Sequence, residues 1–133
     1  MVVVDSSVWI DFFNGGESRA RGTLRAMLDD ATMDILVPDL VLFEVLRGFR
    51  SERDYRQARG LMLSLDQCNL SDTALAQEAA QHYRALRASG YTIRSLIDVL
   101  LASFCIRENL TLLHQDADFD IIERVRGLKV WRH

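Results

Sequence analysis

Cysteine and proline are scarce in this sequence, and each scarcity excludes a class of protein. The 133 residues include one proline, Pro38, and two cysteines, Cys68 and Cys105. Two cysteines without CxxC spacing form neither a disulfide framework nor a cysteine-rich zinc site, and their apolar neighbours predict reduced core thiols. No Pro/Gly/Ser-rich linker, internal repeat or low-complexity stretch is present, so we expect a single domain over residues 1–133.

Long hydrophobic runs and excess positive charge are also missing. No window of about 18 uninterrupted apolar residues exists, and the short apolar start MVVVD lacks the basic segment of a signal peptide. The formal net charge is −3, which argues against a protein that coats DNA without sequence preference. We expect a cytoplasmic protein with no membrane partner. The charge leaves open nucleic-acid chemistry at a local acidic site.

Apolar runs alternate with helical patterns along the chain. Strands are predicted at residues 2–4, 35–37, 68–70, 110–113 and 128–131. Helices are predicted at residues 6–13, 18–30, 38–49, 52–65, 71–89, 95–108 and 118–124, and Ser6 or Ser7 is expected to cap the first of them. This alternation predicts an α/β fold in which helices cover both faces of a central, mainly parallel sheet of about five strands.

Four carboxylates occur in apolar surroundings. Asp5 and Asp116 lie just past the ends of predicted strands, and the carboxyl ends of parallel strands share one edge of a sheet. Glu44 in LVLFEVL and Asp98 in LIDVLLA lie on helices too apolar to face only solvent. A buried lone carboxylate costs several kcal/mol, comparable to the stability margin of a small domain. Something must therefore compensate these charges.

Three kinds of compensation remain open from the residues alone. Arg47 and Arg94 are spaced to pair with Glu44 and Asp98, and Ser95-x-x-Asp98 fits a helix capping box. A divalent cation is the third, because hard cations prefer carboxylate oxygens. One such acid alone is most simply structural. For all four, two at strand ends and two expected near helix starts, that structural reading is weaker, and a shared metal site becomes a serious alternative.

Other acid-rich or hydrolytic patterns fail on particular residues. The D-x-D-x-D of residues 116–120 opens like an EF-hand, but Ile121 and Gly127 stand where that loop needs glycine and glutamate. A haloacid-dehalogenase phosphatase needs a second aspartate two residues after Asp5, where Ser7 stands. The three histidines are scattered, which argues against a zinc site, and no nucleophile elbow is present.

The chain resembles a PIN-domain ribonuclease, specifically a VapC-type toxin of a toxin–antitoxin pair. Four motifs carry the resemblance, in order and over essentially the whole chain: VVVDSSVWIDF with Asp5, VPDLVLFEVLRG with Glu44, IRSLIDVLLASFC with Asp98, and LTLLHQDADFDII with Asp116. One departure is His114, since such toxins usually carry threonine or serine there. The resemblance implies a PIN-like three-layer α/β/α sandwich.

The resemblance also implies a metal-dependent endoribonuclease. Mg²⁺ or Mn²⁺ would be held by Asp5, Glu44, Asp98 and Asp116. The metal would activate water, and RNA cleavage would leave 5′-phosphate and 3′-hydroxyl ends. Ser6 and Asp118 are candidate accessory residues, although each is equally suited to capping a helix. Arg94 is a candidate contact for the substrate phosphate.

The expected partners follow from the same resemblance. RNA would be the substrate, and a VapB-type antitoxin would place a segment in an apolar groove near the first helices. Trp9, Phe12 and Phe13 in this region are most simply core residues, and the groove is their alternative use. A homodimer and a larger complex with the antitoxin are expected. Arginines recur every three residues at positions 47–59, a row that suits either an RNA backbone or a solvated face. A receiver-like Mg²⁺-binding signalling domain and a catalytically silent PIN binding module remain alternatives.

Overall fold

Five short strands form the centre of the computed structural model, which describes residues 1–133. They are β1 (Val2–Val4), β2 (Ile35–Pro38), β3 (Asp66–Cys68), β4 (Thr111–Leu113) and β5 (Lys129–Val130). Their order in the sheet is β3-β2-β1-β4-β5, and every neighbouring pair is parallel. The prediction of a parallel five-stranded sheet is confirmed.

Seven helices pack in two groups that flank the sheet. They are α1 (Ser6–Phe13), α2 (Arg19–Asp29), α3 (Asp39–Leu46), α4 (Glu52–Leu63), α5 (Thr73–Ala88), α6 (Leu96–Glu108) and α7 (Ala117–Arg126). Helix α1 contacts α2 and α3, and α3 contacts α4, whereas α5, α6 and α7 contact one another. The result is the expected three-layer α/β/α arrangement. No helix is both long and apolar enough to cross a membrane.

The central strand β1 does not alternate between polar and apolar residues, because both of its faces are covered. All three valines of Val2–Val4 are buried, because helices cover both faces of the sheet. Trp9 on α1 is also fully buried and stacks on Phe13, with 5.9 Å between ring centres. The core therefore extends from the central strand into α1.

The edge strand β3 is where the sequence-based prediction was wrong. The apolar residues 68–70 predicted this strand, but it spans Asp66–Cys68 and pairs with β2. Edge strands carry exposed polar residues, so apolar content marks them poorly. Buried Leu70 lies beyond the strand, and its N–H donates to Asp39 Oδ1 at 2.9 Å. Both cysteines are free, but Cys68 is only half-buried, so only Cys105 is the expected core thiol.

The strand order creates a crevice between β1 and β4. The chain leaves β1 towards β2 and β3 on one side, whereas it leaves β4 towards β5 on the other. Such a reversal opens a crevice at the carboxyl ends of the two strands, and ligands of open α/β sheets bind there. The N–H of Asp5 donates to the carbonyl of Leu113 at 2.9 Å, which joins the two strand ends at this point.

Candidate active site

Asp5 lies at the end of β1 and is the N-cap of α1. Its Oδ2 accepts hydrogen bonds from the Ser7 N–H at 3.3 Å and the Ser7 hydroxyl at 2.5 Å. Only 3% of Asp5 is exposed, and its Oδ1 is buried without a hydrogen-bond partner. Burial raises the pKa of this carboxyl, and the hydrogen bonds from Ser7 oppose that shift. The expectation that Ser6 or Ser7 caps α1 was wrong, because the aspartate itself does so.

Asp116 lies beyond β4 and is the N-cap of α7. Its Oδ1 accepts a hydrogen bond from the Asp118 N–H at 2.9 Å, and its own N–H donates to His114 Nδ1 at 3.1 Å. Asp116 is half-buried. The capping role considered for Asp118 was wrong, since Asp118 supplies the N–H that Asp116 accepts.

Asp98 lies in the first turn of α6, as its capping-box spacing predicts. The Asp98 N–H donates to the N-cap hydroxyl of Ser95 at 3.3 Å. The pKa of the Asp98 carboxyl is raised to about 7, first by burial and then by the charges of Asp5, Asp116 and Glu44. All four predicted carboxylates therefore lie within electrostatic reach of one another.

Glu44 approaches the site from the second half of α3. It was expected near a helix start, but α3 begins at Asp39, so the helix N-terminus does not stabilise it. Burial raises the pKa of the Glu44 carboxyl and so does Asp5, whereas the Ser6 hydroxyl and Arg47 lower it. Its Oε1 is buried without a hydrogen-bond partner.

The four carboxylates fit a hard divalent cation, although they are not drawn together as a finished ligand set. No group of three or more Asp, Glu, His or Cys side chains stands at metal-ligand spacing. Two of the carboxylates have donors of their own, since Asp5 accepts from Ser7 and Asp116 accepts from Asp118. The orphaned oxygens of Asp5 and Glu44 are hard donors that a cation would satisfy.

The accessory candidates divide into those near the carboxylates and one apart from them. Buried Ser6 lies beside Glu44, and half-buried Asp118 follows Asp116 in the first turn of α7. Arg94 is exposed and does not contribute to the shifted pKa of Asp98. The structure therefore places Arg94 outside the cluster of interacting charges, and its phosphate contact stays a prediction.

Sequence reasoning missed the two side chains that hold the strand-end aspartates. Ser7 was considered only as a helix cap and as a residue that is not aspartate, and His114 only as a departure from the usual hydroxyl residue. The signal for Ser7 is present in the sequence, since a serine two residues after an aspartate is placed to hydrogen-bond with it. No local signal predicts that a histidine ring accepts a hydrogen bond from the residue-116 N–H.

Comparison with known proteins decides the family. The PIN domain model matches residues 2–125. This chain belongs to the PIN-domain family. The PIN domain described here is 32% identical over 129 residues to VapC ribonuclease Mb1587 of Mycobacterium bovis, covering 97% of this chain and 96% of that protein. The receiver-like alternative is therefore wrong.

Solved structures agree with the PIN fold. VapBC2 of Rickettsia felis, bound to a DNA fragment from its promoter, matches with a TM-score of 0.76 at 19% identity, over 98% of each chain. Mycobacterium tuberculosis VapC20, described as a sarcin–ricin loop cleaving toxin, matches with a TM-score of 0.67 at 19% identity, over 90% of this chain and 93% of that one.

Proposed function

We propose that this PIN domain is a Mg²⁺- or Mn²⁺-dependent endoribonuclease that acts as the toxin of a type II toxin–antitoxin pair. One observation carries the proposal: four carboxylates lie close enough for their charges to interact, and two of them, Asp5 and Glu44, keep buried oxygens without hydrogen-bond partners. The mycobacterial relative is named a ribonuclease, which supports RNA as the substrate class.

Asp5, Asp98 and Asp116 would hold the cation, with Glu44 as a further ligand. When bound, the cation supplies activated water near neutral pH and neutralises charge on the scissile phosphate. The chain's own residues prepare the site. Hydrogen bonds from the backbone N–H groups two residues on hold Asp5 and Asp116 at adjacent strand ends. Asp98, with a pKa of about 7, loses any proton it still holds when the site is loaded.

Three further residues complete the proposed site. The Ser6 hydroxyl orients Glu44, next to which it lies. The half-buried carboxylate of Asp118 is an accessory ligand. Exposed Arg94 contacts a substrate phosphate, for which a guanidinium is well shaped. Cleavage is proposed to leave 5′-phosphate and 3′-hydroxyl ends.

Cleavage of labelled total RNA tests this function. Purified protein is incubated with Mg²⁺, Mn²⁺ or EDTA, beside Asp5→Asn and the matched control Asp29→Asn, which changes an exposed aspartate at the end of α2. We expect discrete metal-dependent fragments with 5′-phosphate ends from the wild type and Asp29→Asn only. Equal fragments from Asp5→Asn would show contamination. No cleavage despite metal binding would favour the catalytically silent PIN binding module.

A groove at the ends of α1 and α3 supports an antitoxin partner. Ile10, Phe13, Val45 and Phe49 line an apolar cavity of about 90 Å³, and Ile10 is 40% exposed. The cavity shares Phe13 and Phe49 with a larger, more polar cleft of about 380 Å³ that also includes Arg50. We propose that a VapB-type antitoxin segment buries this apolar surface in a larger complex of the two proteins. If Phe49→Glu no longer binds the antitoxin but still cleaves RNA, the contact lies at this groove.

A second apolar surface supports a homodimer. A cavity of about 400 Å³ between α5 and α6 is lined by Ala79, Tyr83 and Val99, and Leu96 beside it is 64% exposed. We propose that a second copy of the chain packs here. Light scattering is expected to give a dimer for the wild type and a monomer for Leu96→Glu. The control Leu63→Glu, also at an exposed leucine, is expected to stay dimeric. A monomeric wild type would contradict the homodimer but not the nuclease.

A further inference from the structure

His114 occupies the turn between β4 and Asp116, and both of its ring nitrogens face defined partners. The residue is only 6% exposed, and its ring packs against Phe119 with 5.1 Å between ring centres. Nδ1 lies 3.1 Å from the Asp116 backbone nitrogen, and Nε2 lies 3.7 Å from the Asp120 carboxylate. The ring is therefore held at a fixed angle to the turn.

The contact with Asp116 determines which nitrogen carries the proton. A backbone N–H only donates, so His114 Nδ1 must be the unprotonated acceptor, and Nε2 carries the hydrogen of the neutral ring. The distance from Nε2 to Asp120 is too long for a hydrogen bond. Nδ1 is therefore the atom through which the ring acts on its neighbour.

Asp116 is consequently held from two sides. Its N–H donates to His114, and its Oδ1 accepts from the Asp118 N–H at 2.9 Å. The two hydrogen bonds hold the main chain and one carboxylate oxygen of Asp116, and the other oxygen, Oδ2, accepts no hydrogen bond from the protein. Packing of the ring on Phe119 alone would not require an acceptor at the Nδ1 position.

We propose that His114 is a positioning residue for Asp116, acting through the hydrogen bond between its Nδ1 and the Asp116 N–H. This inference rests on the proposed function, to which the metal-ligand role of Asp116 belongs. A threonine or serine hydroxyl can accept a hydrogen bond from an N–H two residues on. Here a ring nitrogen makes that bond, and the rest of the ring fills the space against Phe119.

Two amide substitutions separate the two ring nitrogens. In His114→Asn the side-chain oxygen stands where Nδ1 stands, so the acceptor is kept. In His114→Gln the amide reaches only the Nε2 position, so the acceptor is lost. We expect His114→Asn to bind Mn²⁺ within about twofold of the wild type by calorimetry. His114→Gln should bind about 10–100-fold more weakly, the usual cost of losing a group that orients a metal ligand.

His114→Phe and Asp120→Asn complete the series. Phenylalanine keeps the ring packing on Phe119 without an acceptor, so it should bind Mn²⁺ as weakly as His114→Gln while staying folded in EDTA. Asp120→Asn removes only the distant charge at Nε2, and we expect less than about a twofold change. His114→Phe that binds as tightly as the wild type would overturn the positioning role.

Nuclear magnetic resonance on ¹⁵N-labelled protein observes the bond itself without metal. A scalar coupling across the hydrogen bond between Asp116 N and His114 Nδ1 is expected in the wild type, with Nε2 protonated. Amide hydrogen exchange at Asp116 should be about tenfold faster in His114→Gln and unchanged in His114→Asn. A ring protonated at Nδ1 would overturn the inference.

The outcomes separate this inference from the proposed function. RNA cleavage by the wild type, with equal Mn²⁺ affinity in every folded His114 variant, would remove the positioning role and leave the nuclease standing. A wild-type protein that binds no Mn²⁺ would overturn the metal site and this inference together.

Discussion

The β1–α1 and β4–α7 junctions place a carboxylate in the same way. In both, an aspartate beyond a parallel strand caps the next helix and accepts a hydrogen bond from the N–H two residues on. The two strands are neighbours in the sheet, so both carboxylates reach the same crevice. The same capping arrangement beyond adjacent strands thus brings together residues that are far apart in sequence.

The two junctions differ in how the aspartate is supported. Asp5 is held through its side chain, by the N–H and hydroxyl of Ser7, and its other oxygen is buried without a partner. Asp116 is less buried, and its main-chain N–H donates to the ring of His114. At the first junction, a buried carboxylate destabilises the folded state. At the second junction, the position of Asp116 depends on the His114 ring.

The largest expected effect is on catalysis, where both junctions are required. Asp5→Asn and Asp116→Asn should each reduce metal-dependent RNA cleavage by more than the roughly 10–100-fold cost of losing a supporting contact, because each removes a ligand itself. Initial rates on one labelled RNA measure this, with Asp29→Asn as the control. Retention of cleavage in either variant would show that the two junctions are not equivalent ligands.

The next effect is on stability with metal. At a Mn²⁺ concentration about a hundred times its dissociation constant, the free energy of unfolding should rise by about 2.7 kcal/mol, because the ion binds only the folded site. Chemical denaturation with Mn²⁺ or with EDTA measures the rise. An equal rise in Asp5→Asn would place the ion elsewhere.

The pH dependence of stability in the metal-free protein tests how burial and the charges of Asp5 and Asp116 act on Asp98. The folded-state pKa of Asp98 is about 7, above its unfolded value of 3.8. The folded state therefore holds the Asp98 proton more tightly than the unfolded state does. The stability gained from this proton is lost as the pH rises from 3.8 to about 7. A loss of about 1–2 kcal/mol is expected after allowing for partial solvation.

Asp98→Asn cannot titrate, so it should flatten this part of the stability profile, measured by denaturation in EDTA. The control Asp29→Asn should keep the wild-type slope. A profile that is unchanged in Asp98→Asn would contradict the raised pKa.

The smallest effect is a difference between the junctions without metal. Asp5→Asn should stabilise the protein in EDTA near neutral pH by about 1 kcal/mol, because it removes a buried charge and asparagine still caps a helix. Asp116→Asn should stabilise it less, since Asp116 is more exposed. Thermal unfolding of the two variants measures this. A larger gain from Asp116→Asn would reverse the comparison.

The order of strands and helices could be predicted because its signals are local. Val2–Val4 is apolar on both faces, Ser95 caps α6 as expected, and Asn109 ends α6 in the left-handed conformation at φ 56°. The predicted bounds of elements were wrong where the local sequence signals are weak. The edge strand β3 carries polar residues, and α3 ends at Leu46, earlier than its predicted end at Phe49.

The sequence by itself was enough to predict a parallel α/β sheet and the family, and to select four carboxylates as candidate site residues. Apolar run lengths, helix caps and motif order are properties of neighbouring residues, so they can be read from the sequence. Only the tertiary structure decided that Asp5 and Asp116 cap their own helices, that Glu44 reaches the crevice from the second half of α3, and that His114 turns Nδ1 to the main chain. These features depend on burial and on contacts through space. Neither is encoded in any single stretch of residues.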